Sequence, residues 1–369
     1  KLMNELAKDS TIEFIEPDRI MQAAMTPNDT RYNEQWHYFE ATGGMGMPAA
    51  WDLVTGSGVV VAVLDTGITN HSDLNANVVA GYDFISSSTT AGDGNGRDSN
   101  PNDEGDYSGG YSSSWHGTHV AGTVAAVTNN SAGVAGVAFN AKIMPVRVLG
   151  RGGGTTSDIA DAITWASGGA VSGVTTNSNP AEVINLSLGG SGSCDTTTQN
   201  AINGAVGRGT VVVIAAGNSN SNVSGFTPAN CNNVVSVASN DREGNRASYS
   251  NYGALIDVTA PGGETATTAN GVLSTLNSGS TTPGTESYAF YQGTSMAAPH
   301  VAGLVALMQS KAVSTPATVE SLLKSTARAL PGTCSGGCGS GIVQAANAIN
   351  AVGGTPPPPP PTNVLTNGV

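Results

Sequence analysis

Three apolar runs organise the reading of this 369-residue chain: Val59–Leu64, Val183–Leu188 and Val211–Ala216. Runs of this length without apolar–polar alternation fit parallel strands buried on both faces. Helical stretches lie between them, at 157–167 and 196–206. The alternation of strand and helix from residue 25 to 352 predicts an α/β fold, a doubly wound, mainly parallel sheet with helices on both faces. Residues 1–24 are different. Leu2 and Leu6 among charges read as a piece of helix, and Thr11–Pro17 alternates apolar and acidic residues as an exposed strand does. So short a stretch cannot bury a core, and it is expected to be the tail of a separate domain. At the other end Pro356–Pro361 is a semi-rigid polyproline segment. Residues 353–369 are therefore expected to be a linker to a further domain. No apolar run reaches the length of a transmembrane helix.

Composition narrows the function. Charged residues make up only 11% of the chain and the net charge is −13, with no basic cluster. A nucleic-acid partner is not expected. Gly, Ser, Thr and Asn replace the missing charges, which suits a loop-rich extracellular enzyme. Of the four cysteines, Cys334 and Cys338 enclose the turn-rich Ser-Gly-Gly and are paired locally, which leaves Cys194 with Cys231. Two disulfides imply an oxidising compartment; four free buried thiols are the alternative.

Open α/β sheets bind ligands beyond the carboxyl ends of their strands. Asp65 ends the first apolar run and Asn218 follows the third; His116 and Ser295 each open a helical stretch. A serine hydroxyl needs a neighbouring base, and a neutral imidazole can take its proton. A buried carboxylate fixes the imidazole tautomer and stabilises the imidazolium. The N–H of Ser295 at a helix start and the Asn218 amide would then stabilise an oxyanion. Taken singly, each residue has a structural alternative: a turn, a packing histidine, an N-cap.

Three blocks carry a specific resemblance: Asp65-Thr66-Gly67, His116-Gly117-Thr118-His119-Val120-Ala121-Gly122-Thr123, and Gly293-Thr294-Ser295-Met296-Ala297-Ala298-Pro299-His300. They resemble the signature blocks of the subtilisin-like serine proteases, in the same chain order, and the resemblance spans roughly residues 30 to 350. It implies Asp65, His116 and Ser295 as catalytic triad and Asn218 in the oxyanion hole, with His119 and His300 structural. Ala216-Gly217-Asn218 resembles the oxyanion segment, and Ser187-Leu188-Gly189 one wall of the primary specificity pocket. Gly152-Gly153-Gly154 resembles the opposing substrate-binding strand, so that protein or peptide substrates would bind as an added strand between the two. Phe226 falls at the pocket base, implying a medium or large apolar P1 side chain, and Thr227-Pro228 resembles a cis peptide.

The same resemblance implies structural calcium. A first site would use Asp73, Asn130 and Gln35 with the carbonyls of Thr128, Ala132 and Val134. A second is expected in the acidic stretch 93–106, where five acids fall within fourteen residues; Asp98, Asp103 and Asp106 are the expected ligands. Phe14-Ile15-Glu16-Pro17-Asp18 resembles the end of an inhibitory propeptide, implying that residues 1–24 are its remnant and that cleavage falls near Ala24, Met25 or Thr26. The expectation is a secreted, monomeric, calcium-stabilised serine endopeptidase with its own propeptide as inhibitor and no membrane partner. Two rivals remain at this point. One is a non-catalytic binding protein on the same fold. The other is an esterase, which would want Gly-x-Ser-x-Gly where this chain has Gly293-Thr294-Ser295-Met296-Ala297.

Overall fold

A computed structural model describes residue 11 and residues 25–353. The expected propeptide remnant and linker lie, apart from Thr11 and Gly353, outside the described residues. The central sheet has seven parallel strands: β1 (Val60–Asp65), β2 (Tyr82–Asp83), β3 (Lys142–Arg147), β4 (Val183–Leu186), β6 (Val211–Ala215), β8 (Val235–Asn240) and β9 (Val258–Pro261). Their order is β2-β3-β1-β4-β6-β8-β9. The chain builds outward on one side of β1, then returns to pair β4 on its other side. The carboxyl end of β1, where Asp65 sits, thus lies at the reversal.

Alternation along these strands explains the unbroken apolar runs. Val61, Val63 and Val213 enter one core cluster, while Ala62, Leu64, Val212 and Ile214 enter another. β1, β3, β4, β6 and β8 therefore feed two cores, one on each face of the sheet.

Six helices of seven or more residues are described: α1 (His116–Ala125), α2 (Thr156–Ala166), α3 (Thr196–Gly207), α4 (Thr294–Lys311), α5 (Pro316–Thr326) and α6 (Ala345–Ala351). Residues of α1 and α4 enter the first cluster and residues of α2 and α3 the second. The starts of α2, α3 and α5 follow their sequence: Thr155, Asp195 and Thr315 accept from the N–H three residues on, and Pro316 follows its cap. Two short ladders complete the molecule. β10 (Val272–Asn277) pairs antiparallel with β11 (Glu286–Tyr291), and β5 (Gly190–Ser191) with β7 (Phe226–Thr227). Cys194–Cys231 and Cys334–Cys338 are the two disulfides.

Candidate active site

Asp65 is the last residue of β1 and is fully buried. Its Oδ1 accepts from the Thr66 N–H at 2.8 Å and lies 2.8 Å from His116 Nδ1. His116 is the first residue of α1, thrown there by Trp115 in a left-handed conformation (φ 51°). Helix and strand end approach so closely that a Cβ on Gly117 would lie 2.1 Å from the Gly67 carbonyl oxygen, so only glycine fits. Thr66 ties the pieces together. Its hydroxyl accepts from Gly117 N at 3.0 Å and donates to Asp103 Oδ2 at 2.6 Å. Arg147, paired in register with Asp65, donates Nε–H to the Thr66 carbonyl at 3.3 Å and forms a buried ion pair with Asp83 at 2.7 Å.

Electrostatics favour a protonatable base. Burial pulls the His116 pKa down. The charge and hydrogen bond of Asp65 push it up, Asp106 and Asp103 add to the push, and the balance lies above the usual imidazole value. The other two histidines named by the sequence differ. His119 is stacked on Tyr291 at 4.6 Å, with Nε2 beside the Val272 and Ala289 carbonyls, and burial pushes its pKa to about 3. His300 Nδ1 faces the Met296 carbonyl at 2.7 Å, and burial lowers its pKa to about 4.

Ser295 is the second residue of α4. Its hydroxyl donates to the Ser187 carbonyl at 3.2 Å. Asn218 is oriented by Thr294, whose N–H and hydroxyl each donate to Asn218 Oδ1 at 2.9 Å. With that oxygen committed, the amide nitrogen turns toward the helix start. A methyl group on Gly293 would lie 3.5 Å from Asn218 Nδ2 and 3.6 Å from Ser295 N, so both nitrogens flank the same point. The sequence reading gave Thr294 no role of its own, and its place next to Ser295 was its signal.

Ser187, Leu188, Gly189, Ala216, Gly217 and Phe226 all line one pocket of about 360 Å³ next to Ser295, and none of its lining residues is charged. Gly217 (φ 101°) is required here, because a Cβ would meet Asn251 Nδ2 at 2.4 Å. The Thr227–Pro228 peptide is cis. The glycine segment needs a correction. Gly152–Gly154 is no strand: Gly150 and Gly153 bond each other across a tight turn, with Gly152 and Gly153 at φ 84° and 107°. Successive glycines with positive φ favour a turn over extension. The turn still faces Leu188–Ser191 across a cleft of about 560 Å³.

The acidic stretch also departs from expectation. Asp98, Asp103 and Asp106 do not share a site. Asp98 accepts from Asn100 N and Asn95 Nδ2, Asp103 from Thr66 and Gly105, and Asp106 from the N–H and hydroxyl of Ser114. Among the described residues no three acidic, histidine or cysteine groups gather as metal ligands. Asp98 caps its own turn, whereas Asp103 and Asp106 brace the start of α1, through Thr66 and Ser114.

The residues expected at the first calcium site lie around Asp73. Asp73 accepts from Asn130 Nδ2 at 2.6 Å and Val134 N at 2.9 Å. Gln35, expected as a ligand, is instead spent on Ala135: Oε1 accepts from its N–H at 2.8 Å and Nε2 donates to its carbonyl at 2.9 Å. The sequence reading missed Asp29. It is buried, accepts from Asn129 N at 2.9 Å with Oδ2, and leaves Oδ1 buried without a partner. Burial pushes the carboxyls of Asp29 and Asp73 both up, and the charge of Asp73 adds to the push on Asp29. Two costly carboxylates with an orphaned oxygen beside a carbonyl-rich loop fit a hard cation.

A doubly wound parallel sheet thus carries, at its strand ends, an aspartate–histidine pair, a serine at a helix start and two N–H donors that flank one point. Residues 56–341 match the family described as the subtilase family, and the chain belongs to it. It is 63% identical over 380 residues to an extracellular protease of Xanthomonas campestris pv. campestris, covering 100% of this chain and 64% of that protein. It is 48% identical over 372 residues to an extracellular basic protease of Dichelobacter nodosus, covering 95% of this chain and 60% of that protein. The chain thus spans less than two thirds of either relative. A solved structure of a protease from Pseudoalteromonas arctica superposes with a TM-score of 0.87 at 62% identity, covering 89% of this chain and all of that one. Among the described residues, no helix is long and apolar enough to cross a membrane.

Proposed function

We propose that this chain is a secreted serine endopeptidase that hydrolyses peptide bonds in proteins. The observation that carries the reading is the His116 imidazole bonded to a buried Asp65, with Asn218 Nδ2 and Ser295 N flanking one point at the start of the serine helix. His116 takes the Ser295 proton as the hydroxyl attacks the scissile carbonyl, and returns it to the leaving amine. Asp65 holds Nδ1 and stabilises the imidazolium. The two N–H donors stabilise the negative charge that develops on the carbonyl oxygen. Water then repeats the sequence on the acyl-enzyme, and the free acid leaves. The uncharged pocket next to Ser295 favours an uncharged, apolar P1 side chain, and the cleft between Leu188–Ser191 and the Gly152–Gly154 turn takes the residues before it.

A structural calcium ion would be held by Asp29 and Asp73, with the carbonyls of Thr128, Ala132 and Val134 as further oxygen donors; it would neutralise two buried carboxylates and stiffen the loop. Residues 1–24 are read as the end of an inhibitory propeptide, and an active enzyme sequenced from Lys1 would contradict this. Secretion is supported by the extracellular relatives and the disulfides. The enzyme is read as a monomer. The activity is tested by comparing casein hydrolysis by wild type and Ser295→Ala. Equal rates for the two would reject the reading.

A further inference from the structure

Helix α4 carries Ser295 at its second position and Pro299 four residues later, inside the helix. Proline has no N–H, so the Ser295 carbonyl loses the donor that an α-helix would give it. It is not left bare. Ser187, just beyond the end of β4, donates its hydroxyl to the Ser295 carbonyl at 2.8 Å. That hydroxyl is itself oriented: Asn185, fully buried on β4, donates Nδ2–H to Ser187 Oγ at 2.9 Å. A hydroxyl has one proton to give. With the Asn185 amide occupying one of its lone pairs, that proton is directed to Ser295. In return the Ser295 hydroxyl donates to the Ser187 carbonyl at 3.2 Å. One residue thus grips the serine at both its carbonyl and its hydroxyl.

We propose that Asn185 and Ser187 are positioning residues for the nucleophile, supplying from the neighbouring strand the hydrogen bond that Pro299 removes from the helix. The bond fixes the peptide plane of Ser295, and with it the direction of its Oγ and the register of its N–H against Asn218. The Asn185–Ser187 pair touches no reacting atom through its side chains; it acts through the backbone of Ser295. The inference rests on the reading of Ser295 as nucleophile.

The test is a double-mutant cycle of Ser187→Ala and Pro299→Ala, read as kcat and KM on a chromogenic peptide amide and as the rate of fluorophosphonate labelling. Ser187→Ala removes the Ser295 carbonyl's donor and lets the nucleophile drift, so kcat and labelling fall by about tenfold or more while KM stays within about twofold. In the Pro299→Ala background the new N–H takes over the Ser295 carbonyl, and the same substitution then costs less than about threefold. Should Ser187→Ala fail to accumulate, Asn185→Ala replaces it in the cycle and must show the same loss and the same relief. Undiminished kcat in Ser187→Ala, or an equal loss in both backgrounds, overturns the proposal. A wild-type enzyme that neither turns over peptide nor labels overturns the underlying reading instead.

Discussion

Asp103 links the stability of this protein to pH in a direction opposite to the usual carboxylate. It is 1% exposed, with Oδ2 accepting from Thr66 at 2.6 Å and Oδ1 from Gly105 N at 2.9 Å. Burial, the dominant influence, pushes its pKa up to about 7; Thr66 and Gly105 pull it down, Asp106 adds to the push, and Arg147 pulls again. An unfolded aspartate titrates near ~3.9, so the folded state holds this proton more tightly. The stability Asp103 contributes is then fully present below about pH 4 and is lost as pH rises through about 7. A shift from 3.8 to about 7 corresponds to about 4 kcal/mol between those limits. Asp103→Asn cannot ionise. Its Oδ1 can still accept from the Gly105 N–H, but its NH2 faces the Thr66 hydroxyl that now donates there, which adds an offset that does not vary with pH, so only the pH-dependent part is diagnostic. Urea unfolding of the inhibitor-blocked enzyme, at pH 4 and pH 8, measures it. Relative to the variant, wild type should lose up to about 4 kcal/mol across that interval. A difference between the two proteins that stays constant with pH would refute the reasoning.

Other consequences follow from the same geometry. The acidic limb of kcat/KM reports His116, whose pKa lies above the usual imidazole value; Asp65→Asn should move that limb to lower pH and cut kcat by about 10⁴, and an unmoved limb would count against the pair. Calcium should raise the thermal midpoint of wild type and of Gln35→Ala equally, but that of Asp29→Asn much less; loss of the gain in Gln35→Ala would reverse the ligand assignment. The disulfide Cys194–Cys231 joins the segments after β5 and β7, the two strands on one side of the P1 pocket. Cys194→Ser with Cys231→Ser should therefore raise KM for bulky P1 substrates more than it lowers kcat, and a pure stability loss with an unchanged P1 profile would contradict this.

The strands and the helix starts were legible in the chain because burial on both faces leaves a strong local signal. Val59–Leu64 and Val211–Ala216 read as strands for the same reason that they feed two cores. Asp65, His116 and Ser295 stood out because each closes or opens an element. The residues of the proposed cation site were less legible. Asp29 precedes the first strand by some thirty residues, and only folding brings it to Asn129 and an unpartnered, buried oxygen. The acidic stretch misled because carboxylate density says nothing of direction: Asp98 turns to Asn100 N, Asp103 to Gly105 N and the Thr66 hydroxyl, and Asp106 to Ser114. Gly152–Gly154 misled similarly, since glycines permit a tight turn as readily as the close approach of a strand. The support of Ser295 by Ser187 could be suspected from Pro299 alone, but the donor had to come from another strand.

The central claim is that Ser295 is an activated nucleophile. Reaction of the folded enzyme with a fluorophosphonate, followed by peptide mapping, tests it most directly. The account predicts one label per chain, on Ser295, with a rate that falls on the acidic side as His116 is protonated and collapses in His116→Ala. A label elsewhere, or a rate on Ser295 indifferent to His116, would contradict it.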